Sequence, residues 1–237
     1  MQAMQQVGFP EVEDLQDFSA IGVSRTRRYV SPQGRRSDAA HAYLHPRLQD
    51  GKHPNLHVLV ETQVVRVVFD DDRRASGVEF RPNPTFQPEA AQRDIRTIKA
   101  RKLVVASCGT LDTAPLLERS GIGGREVLEA AGVPIVADVP SVGQNYQDHN
   151  LVIYPYACSL PPEGTPDKYH GGEPSVIAAA LERSDPVLGW NGVDASSKIR
   201  PTPSEVDSLG PEFKNTWDRD FEDAPTRPLV SMIFVAG

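Results

Sequence analysis

Cysteine is almost missing from this chain: Cys108 and Cys158 are the only two in 237 residues, and they stand outside any C-x-x-C spacing. That excludes a disulfide framework and a thiolate zinc site, and it fits a reducing compartment. Positive charge is also short, with 25 Lys and Arg against 32 Asp and Glu for a net charge of -7. This is the wrong sign for holding a polyanion, so nucleic acid is not an expected partner. No apolar run approaches the ~18 residues needed to cross a bilayer, and Met1 to Pro10 lacks the regions of a signal peptide. An intracellular protein with no membrane partner is expected. The common signatures of catalysis are missing too: there is no G-x-S-x-G elbow, no phosphate loop and no G-x-G-x-x-G. Gly121-Ile122-Gly123-Gly124 is too short to stand in for one.

What the chain does have is punctuation. Its 21 Pro and 18 Gly imply many turns and short elements. A short helix near the start is followed by irregular chain. Ser37 or Asp38 caps a helix over residues 39–44, and Pro46 ends it. The Val-dense run 56–69 reads as one long strand, or two joined by a bend at Glu61-Thr62. A charged turn at 70–74, a return strand at 75–80, a proline-rich excursion and a strand around 95–100 complete a three-stranded meander. Residues 102–109, KLVVASCG, are apolar without alternation, the pattern of a strand covered on both faces in a parallel sheet. Asp112 or Thr113 then caps a helix with Pro115 in its first turn and Gly121 as its stop. A second helix over 126–131 stops at Gly132. After residues 145–149 the composition shifts, with a strand at 151–156, a Pro/Gly-rich loop and an apolar strand at 229–236. A buried strand ending at the terminus suggests a cut chain.

Several side chains invite a chemical reading. His41 and His45, and His53 and His57, are each four apart, but no carboxylate or cysteine joins them at ligand spacing, so surface histidines outweigh a metal site and none is assigned. His149 beside Asp148 has the residue types of an acid/base pair, yet neighbours in sequence seldom face each other, and a hydrogen-bonding role is favoured. Arg35-Arg36 suits a phosphate clamp or a solvated charge cluster. Cys108, at the end of a buried strand, reads as a packed inert thiol.

The run Gly109-Thr110-Leu111-Asp112-Thr113-Ala114-Pro115-Leu116-Leu117-Glu118-Arg119-Ser120-Gly121-Ile122-Gly123 closely resembles the second signature of the glucose-methanol-choline (GMC) oxidoreductases. Val142-Gly143-Gln144-Asn145-Tyr146-Gln147-Asp148-His149 resembles the VGxNLQDH segment that follows it in that family. Within the family the chain is most similar to the central part of fungal alcohol (methanol) oxidases, through 34–45 (GRRSDAAHAYLH), 107–110 (SCGT) and 198–203 (KIRPTP). It departs from the signature at Ala114, where the family has Pro or Ser, and at Asp112, a charge in an otherwise small and apolar turn.

The resemblance implies a mixed α/β chain carrying a partial GMC fold. Residues 1–148 would be the later part of a Rossmann-like FAD-binding domain that lacks its N-terminal dinucleotide motif, with a connecting segment at 1–50. Residues 149–237 would begin an antiparallel-sheet substrate domain. The family's glycine-rich loop would lie before Met1 and its active-site histidine after Gly237, so no catalytic residue carries over. What carries over is cofactor binding on the adenosine side of FAD: Val64, whose position in the family offers its backbone to adenine, and the small residues Ala106, Ser107 and Gly109. The implied reaction is oxidation of a primary alcohol to an aldehyde by hydride transfer to the flavin, with O2 reduced to H2O2. A GMC dehydrogenase, a flavin-containing hydroxynitrile lyase and a remnant that no longer binds FAD are the alternatives. The implied partner is a small-molecule alcohol, the implied parent is homo-oligomeric, and the full-length relatives are peroxisomal, although the chain ends in no such targeting tripeptide.

Overall fold

A computed structural model describes the chain except at residues 92–93, 158, 160, 162–164, 168, 170–171, 191 and 236–237. The first elements are α1 (Gln2–Gln6), β1 (Gly22–Arg25), a π turn (Ala40–Leu44) running into α2 (His45–Gln49), β2 (Thr62–Phe69), β3 (Ala75–Pro82), α3 (Pro88–Ala91) and β4 (Arg96–Lys99). Next come α4 (Thr110–Arg119), β5 (Ile122–Gly123), α5 (Arg125–Ala130) and β6 (Ala137–Asp138). The last are α6 (Pro174–Glu182), a 3-10 turn (Pro186–Gly189), β7 (Val193–Ile199), α7 (Pro203–Ser208), α8 (Pro211–Asp220) and β8 (Val230–Val235). The class is mixed α/β with antiparallel sheets, as expected. The chain forms two compact units, one of Met1–His53 with Pro155–Gly237 and one of Pro54–Tyr154. Among the described residues no helix is long and apolar enough to cross a membrane.

The unit of Pro54–Tyr154 is built on the meander β2-β3-β4, all antiparallel. Valine-rich β2 turns back through Asp70, whose N–H donates to the Arg74 carbonyl (2.9 Å) and whose carboxylate accepts from the Arg74 N–H (2.8 Å). Cross-strand partners Arg66 and Glu79 form a two-bond ion pair at 2.7 and 2.9 Å, which holds the Glu79 carboxyl below its ordinary pKa. Helix α4 packs on the other edge of β2. Ser120 Oγ accepts from the Val67 N–H (2.8 Å) and donates to the Leu116 carbonyl (2.6 Å), and Arg119 Nε donates to the Val65 carbonyl (3.1 Å). Val67, Leu116 and Leu128 are buried there. Gly121 ends α4 at φ +85°, and a Cβ at that position would lie 2.5 Å from the Pro134 carbonyl oxygen. Its own carbonyl accepts from Val136 and Ala137 N–H, which aligns the short parallel pair β5-β6.

In the other unit β7 runs between β1 and β8, antiparallel to both. Val23, Ala195 and Ser197 are buried in this sheet. Arg200, just past β7, stacks 4.4 Å over the Trp217 ring of α8 and donates to the carbonyls of Phe221, Glu222, Ala224 and Arg227. One guanidinium thereby closes the turn after α8 against the sheet. Thr202 and Glu205 form a reciprocal cap at the start of α7.

The meander, the charged turn, and the stops at Gly121 and Gly132 fall where the sequence places them. Other elements do not. Pro46 does not end a helix: it sits in the first turn of α2, where a missing N–H is harmless, after the wider π turn. Helix α4 begins at Thr110 behind Gly109, not at 112–113, and carries Pro115 in its interior. Irregular chain was expected before residue 30, yet Gly22–Arg25 is a strand because β7 pairs with it from far along the sequence.

The largest difference concerns residues 102–109. They form no strand, Leu103 and Val105 are 73% and 74% exposed, and Cys108 is exposed and not a packed thiol. Among the described residues nothing bonds the peptide groups of 103–107, and a strand needs a ladder partner. Residues 56–60 and 151–156, also expected as strands, form no strand and are largely exposed in the same way.

The chain exposes 18326 Å², where a folded monomer of this mass exposes about 10,500 Å² and two independent units of these sizes about 12,600 Å². Leu59, Val60, Leu103, Val105, Leu151 and Ile153 contribute to that surface. We therefore expect the dilute protein to bind a hydrophobic dye such as ANS strongly in native buffer, and a dye signal no higher than that of a compact control would contradict this. Gly121→Ala should lower the unfolding free energy by more than ~1 kcal/mol, since the added Cβ meets backbone in a left-handed conformation. Urea melts followed at the Pro54–Tyr154 unit measure it.

Candidate functional site

The four residues expected at the adenosine side of a flavin lie at two ends of one helix. Val64 is half-buried in β2 opposite Phe80, and the ladder skips from Val64 to Arg66, which makes Val65 the extra residue of a bulge. A hollow of about 140 Å³ opens beside this end of β2, lined in part by Thr62 and by Phe80, the register partner of Val64. Ala106, Ser107 and Gly109 are exposed and lead into the other end of α4. The Cys108 N–H donates to Thr113 Oγ1 (3.1 Å), and the Gly109 carbonyl accepts from the Thr113 N–H (3.0 Å). Gly109 adopts φ +83°, with open space where a Cβ would stand.

Ten residues of α helix are about 15 Å long. Val65, next to Val64, is bonded to Arg119 at the C-terminal end of α4, while Gly109 caps the N-terminal end. The structure thus places Val64 and the 106–109 run at the two ends of one rigid element without bringing them into contact. Ala106, Ser107 and Gly109 are small and exposed, with open space at Gly109, and such a run lets a ligand approach the backbone closely, whereas Val64 is half-buried in β2. The sequence reading of α4 passed over Arg119 and Ser120. A serine ahead of a helix-stopping glycine looks like the end of a helix, and its bond to a strand more than fifty residues earlier leaves no local signal.

The other candidates resolve into local hydrogen bonding. His41 Nδ1 meets both carboxylate oxygens of Asp38 at 2.9 Å, and His53 Nδ1 meets those of Asp50 at 3.0 Å. Both histidines are thus held by the aspartate three residues earlier. His41 and His45 touch edge to face at 4.9 Å, and His57 is exposed and lies outside any strand. Among the described residues no three His, Cys, Asp or Glu side chains gather as metal ligands. Arg35 and Arg36 are exposed, and the Arg35 carbonyl accepts from the Ser31 N–H (2.7 Å). The Asp148 carboxylate accepts from the Tyr146 hydroxyl and from the His149 backbone N–H, each at 2.8 Å. It serves the chain and not the imidazole as an acid/base pair would require. Cys158 lies outside the described residues.

A family model described as GMC oxidoreductase matches residues 1–151. The alcohol oxidase of Pichia angusta is 34% identical over 243 residues, an alignment that takes in 100% of this chain and 36% of that protein. The oxygen-dependent choline dehydrogenase of Pseudomonas putida is 34% identical over 198 residues, 84% of this chain and 33% of that protein. Among solved structures, an FAD-dependent oxidoreductase from Chaetomium thermophilum superposes with a TM-score of 0.74 at 20% identity, over 100% of this chain and 44% of that one. That likeness is one of fold. The chain spans 36% of the length of the alcohol oxidase it matches, and it carries a corresponding part of the fold.

The bonds from the Tyr146 hydroxyl, first, and the His149 N–H, second, hold the Asp148 carboxyl below the ordinary aspartate pKa. A depressed folded-state value contributes stability above the unfolded pKa, and that contribution is lost as pH falls through the folded one. Tyr146→Phe should therefore raise the Asp148 titration midpoint, read by carboxyl 13C NMR. An unchanged midpoint would show that the phenol hydroxyl does not hold it.

Proposed function

The chain belongs to the GMC oxidoreductase family, and from that premise we propose that its 237 residues are the central part of an FAD-dependent alcohol oxidase. Residues 1–148 supply the later part of the flavin domain, with 1–50 as a connecting segment, and 149–237 begin the substrate domain. The observation that supports an oxidase over a dehydrogenase is coverage: the alcohol oxidase aligns along 100% of the chain, the choline relative along 84%.

Val64, through its backbone, and Ala106, Ser107 and Gly109, through their small size, form the adenosine side of the FAD site. When bound, FAD supplies a two-electron acceptor for the hydride of a primary alcohol, with an aldehyde as product and O2 reduced to H2O2. No proton-transfer step is assigned to any of these 237 residues. The parent takes a small alcohol as substrate and is an intracellular homo-oligomer.

Two measurements test this reading. The purified 237-residue chain should show no flavin band between about 350 and 500 nm, because its sequence holds no G-x-G-x-x-G run to deliver a helix N-terminus to the pyrophosphate. A stoichiometric yellow protein would overturn the assignment of these residues to the adenosine side alone. The product of the whole reading frame around this segment should release H2O2 from a primary alcohol. Flavin-loaded protein that oxidises choline and not simple alcohols would replace the oxidase with a dehydrogenase.

A further inference from the structure

A strand in an antiparallel pair directs alternate peptide groups to its two sides. β3 takes one side of β2, and among the described residues no strand takes the other, so β2 is at the edge of its sheet. On that free side two peptide groups are bonded by side chains from the end of α4: the Val65 carbonyl by Arg119 Nε at 3.1 Å and the Val67 N–H by Ser120 Oγ at 2.8 Å. Ser120 is 6% exposed and is itself anchored to the Leu116 carbonyl. Gly121 fixes the same helix end from behind, through Val136 and Ala137. Val65 is the extra residue of the bulge and adjoins Val64.

The two bonds differ in what they do. Ser120 satisfies a buried N–H, whose loss is costly to the fold. Arg119 is exposed and bonds a carbonyl that water would serve equally well, so its bond contributes little stability. It fixes the direction of the peptide plane at the bulge, which is a matter of geometry. We propose that Arg119 and Ser120 are positioning residues: by holding the Val65 carbonyl and the Val67 N–H they set the orientation in which Val64 presents its backbone to an adenine edge. This rests on the adenine contact of Val64 given above. Adenine offers a ring-nitrogen acceptor beside an amino donor, and hydrogen bonds to such a pair weaken steeply once the peptide group turns away from it.

Hydrogen–deuterium exchange of the dilute 237-residue chain, read by mass spectrometry on the peptide covering 62–69, tests this with AMP as the probe and GMP as the control. In the unsubstituted chain AMP should slow exchange of that peptide and GMP should not. Arg119→Met, which keeps an apolar stem and removes the donor, should leave exchange of the β7 peptide unchanged. It should raise the AMP concentration for half-protection about tenfold, as loss of a positioned hydrogen bond does. Ser120→Ala should do the same and also speed exchange of 62–69 without nucleotide, and Ser120→Thr should restore both. If AMP does not protect 62–69 in the unsubstituted chain, the adenine contact falls and the positioning role falls with it. If AMP protects the unsubstituted chain and Arg119→Met equally, the adenine contact stands and the positioning role is overturned.

Discussion

The hydroxyl of Ser120 joins the helical and the extended parts of the Pro54–Tyr154 unit. It accepts from a strand N–H and donates within its own helix, in a setting where either group left alone would lose about 1–3 kcal/mol. Because the bond is buried, the helix end has one allowed position along β2. The register of the meander, pinned by the Arg66–Glu79 pair, is thereby carried into α4. From α4 it passes through Gly121 to β5 and β6. Side chains do here what a neighbouring strand does elsewhere in a sheet, at two residues: Ser120 serves Val67 and Arg119 serves Val65.

Where a partner strand lies within the chain, a strand forms; where none is found among the described residues, equally apolar sequence forms no regular element. β2 has β3, and β7 has β1 on one side and β8 on the other. Residues 103–107 are as rich in Val and Leu as β2, yet they find no ladder among the described residues. Intrinsic strand preference amounts to less than the packing and pairing that normally express it. The exposed area of 18326 Å² is the visible result.

This sets what was legible in the sequence. The meander could be read because its pairings are local: β2 to β3 closes over the turn at Asp70, whose charged residues announce it. Helix stops could be read because Gly121 and Gly132 take positive φ, which few other residues adopt. β1 could not, since its ladder partner is β7, some 170 residues later in the chain, and the bridge from Val23 to Glu11 is a single pair. The apolar run at 102–109 was legible as strand-like but not as unpaired, because periodicity reports what a segment would bury and not whether anything covers it. Pro115 misled for a local reason. Proline marks the first turn of a helix by frequency alone, and here the helix starts earlier, behind a glycine.

The candidate site was legible only through family likeness, and the structure gives the physical reason. A backbone that reads a base edge needs no particular side chain, so Val64 carries no mark that separates it from Val65 or Val68. In the proposed site the side chains that aim the backbone lie on another element, where Arg119 and Ser120 bond Val65 and Val67 from more than fifty residues away. Arg119 and Ser120 occupy the end of the segment that the family signature preserves in this chain, ahead of Gly121. What the structure shows is that two peptide groups of β2 are held by side chains at the end of α4, so on the proposed reading the orientation of β2 is written in the sequence there. Motif and contact can lie apart for the same reason that a hinge need not touch the door it positions: the constraint travels through a rigid helix end and two hydrogen bonds.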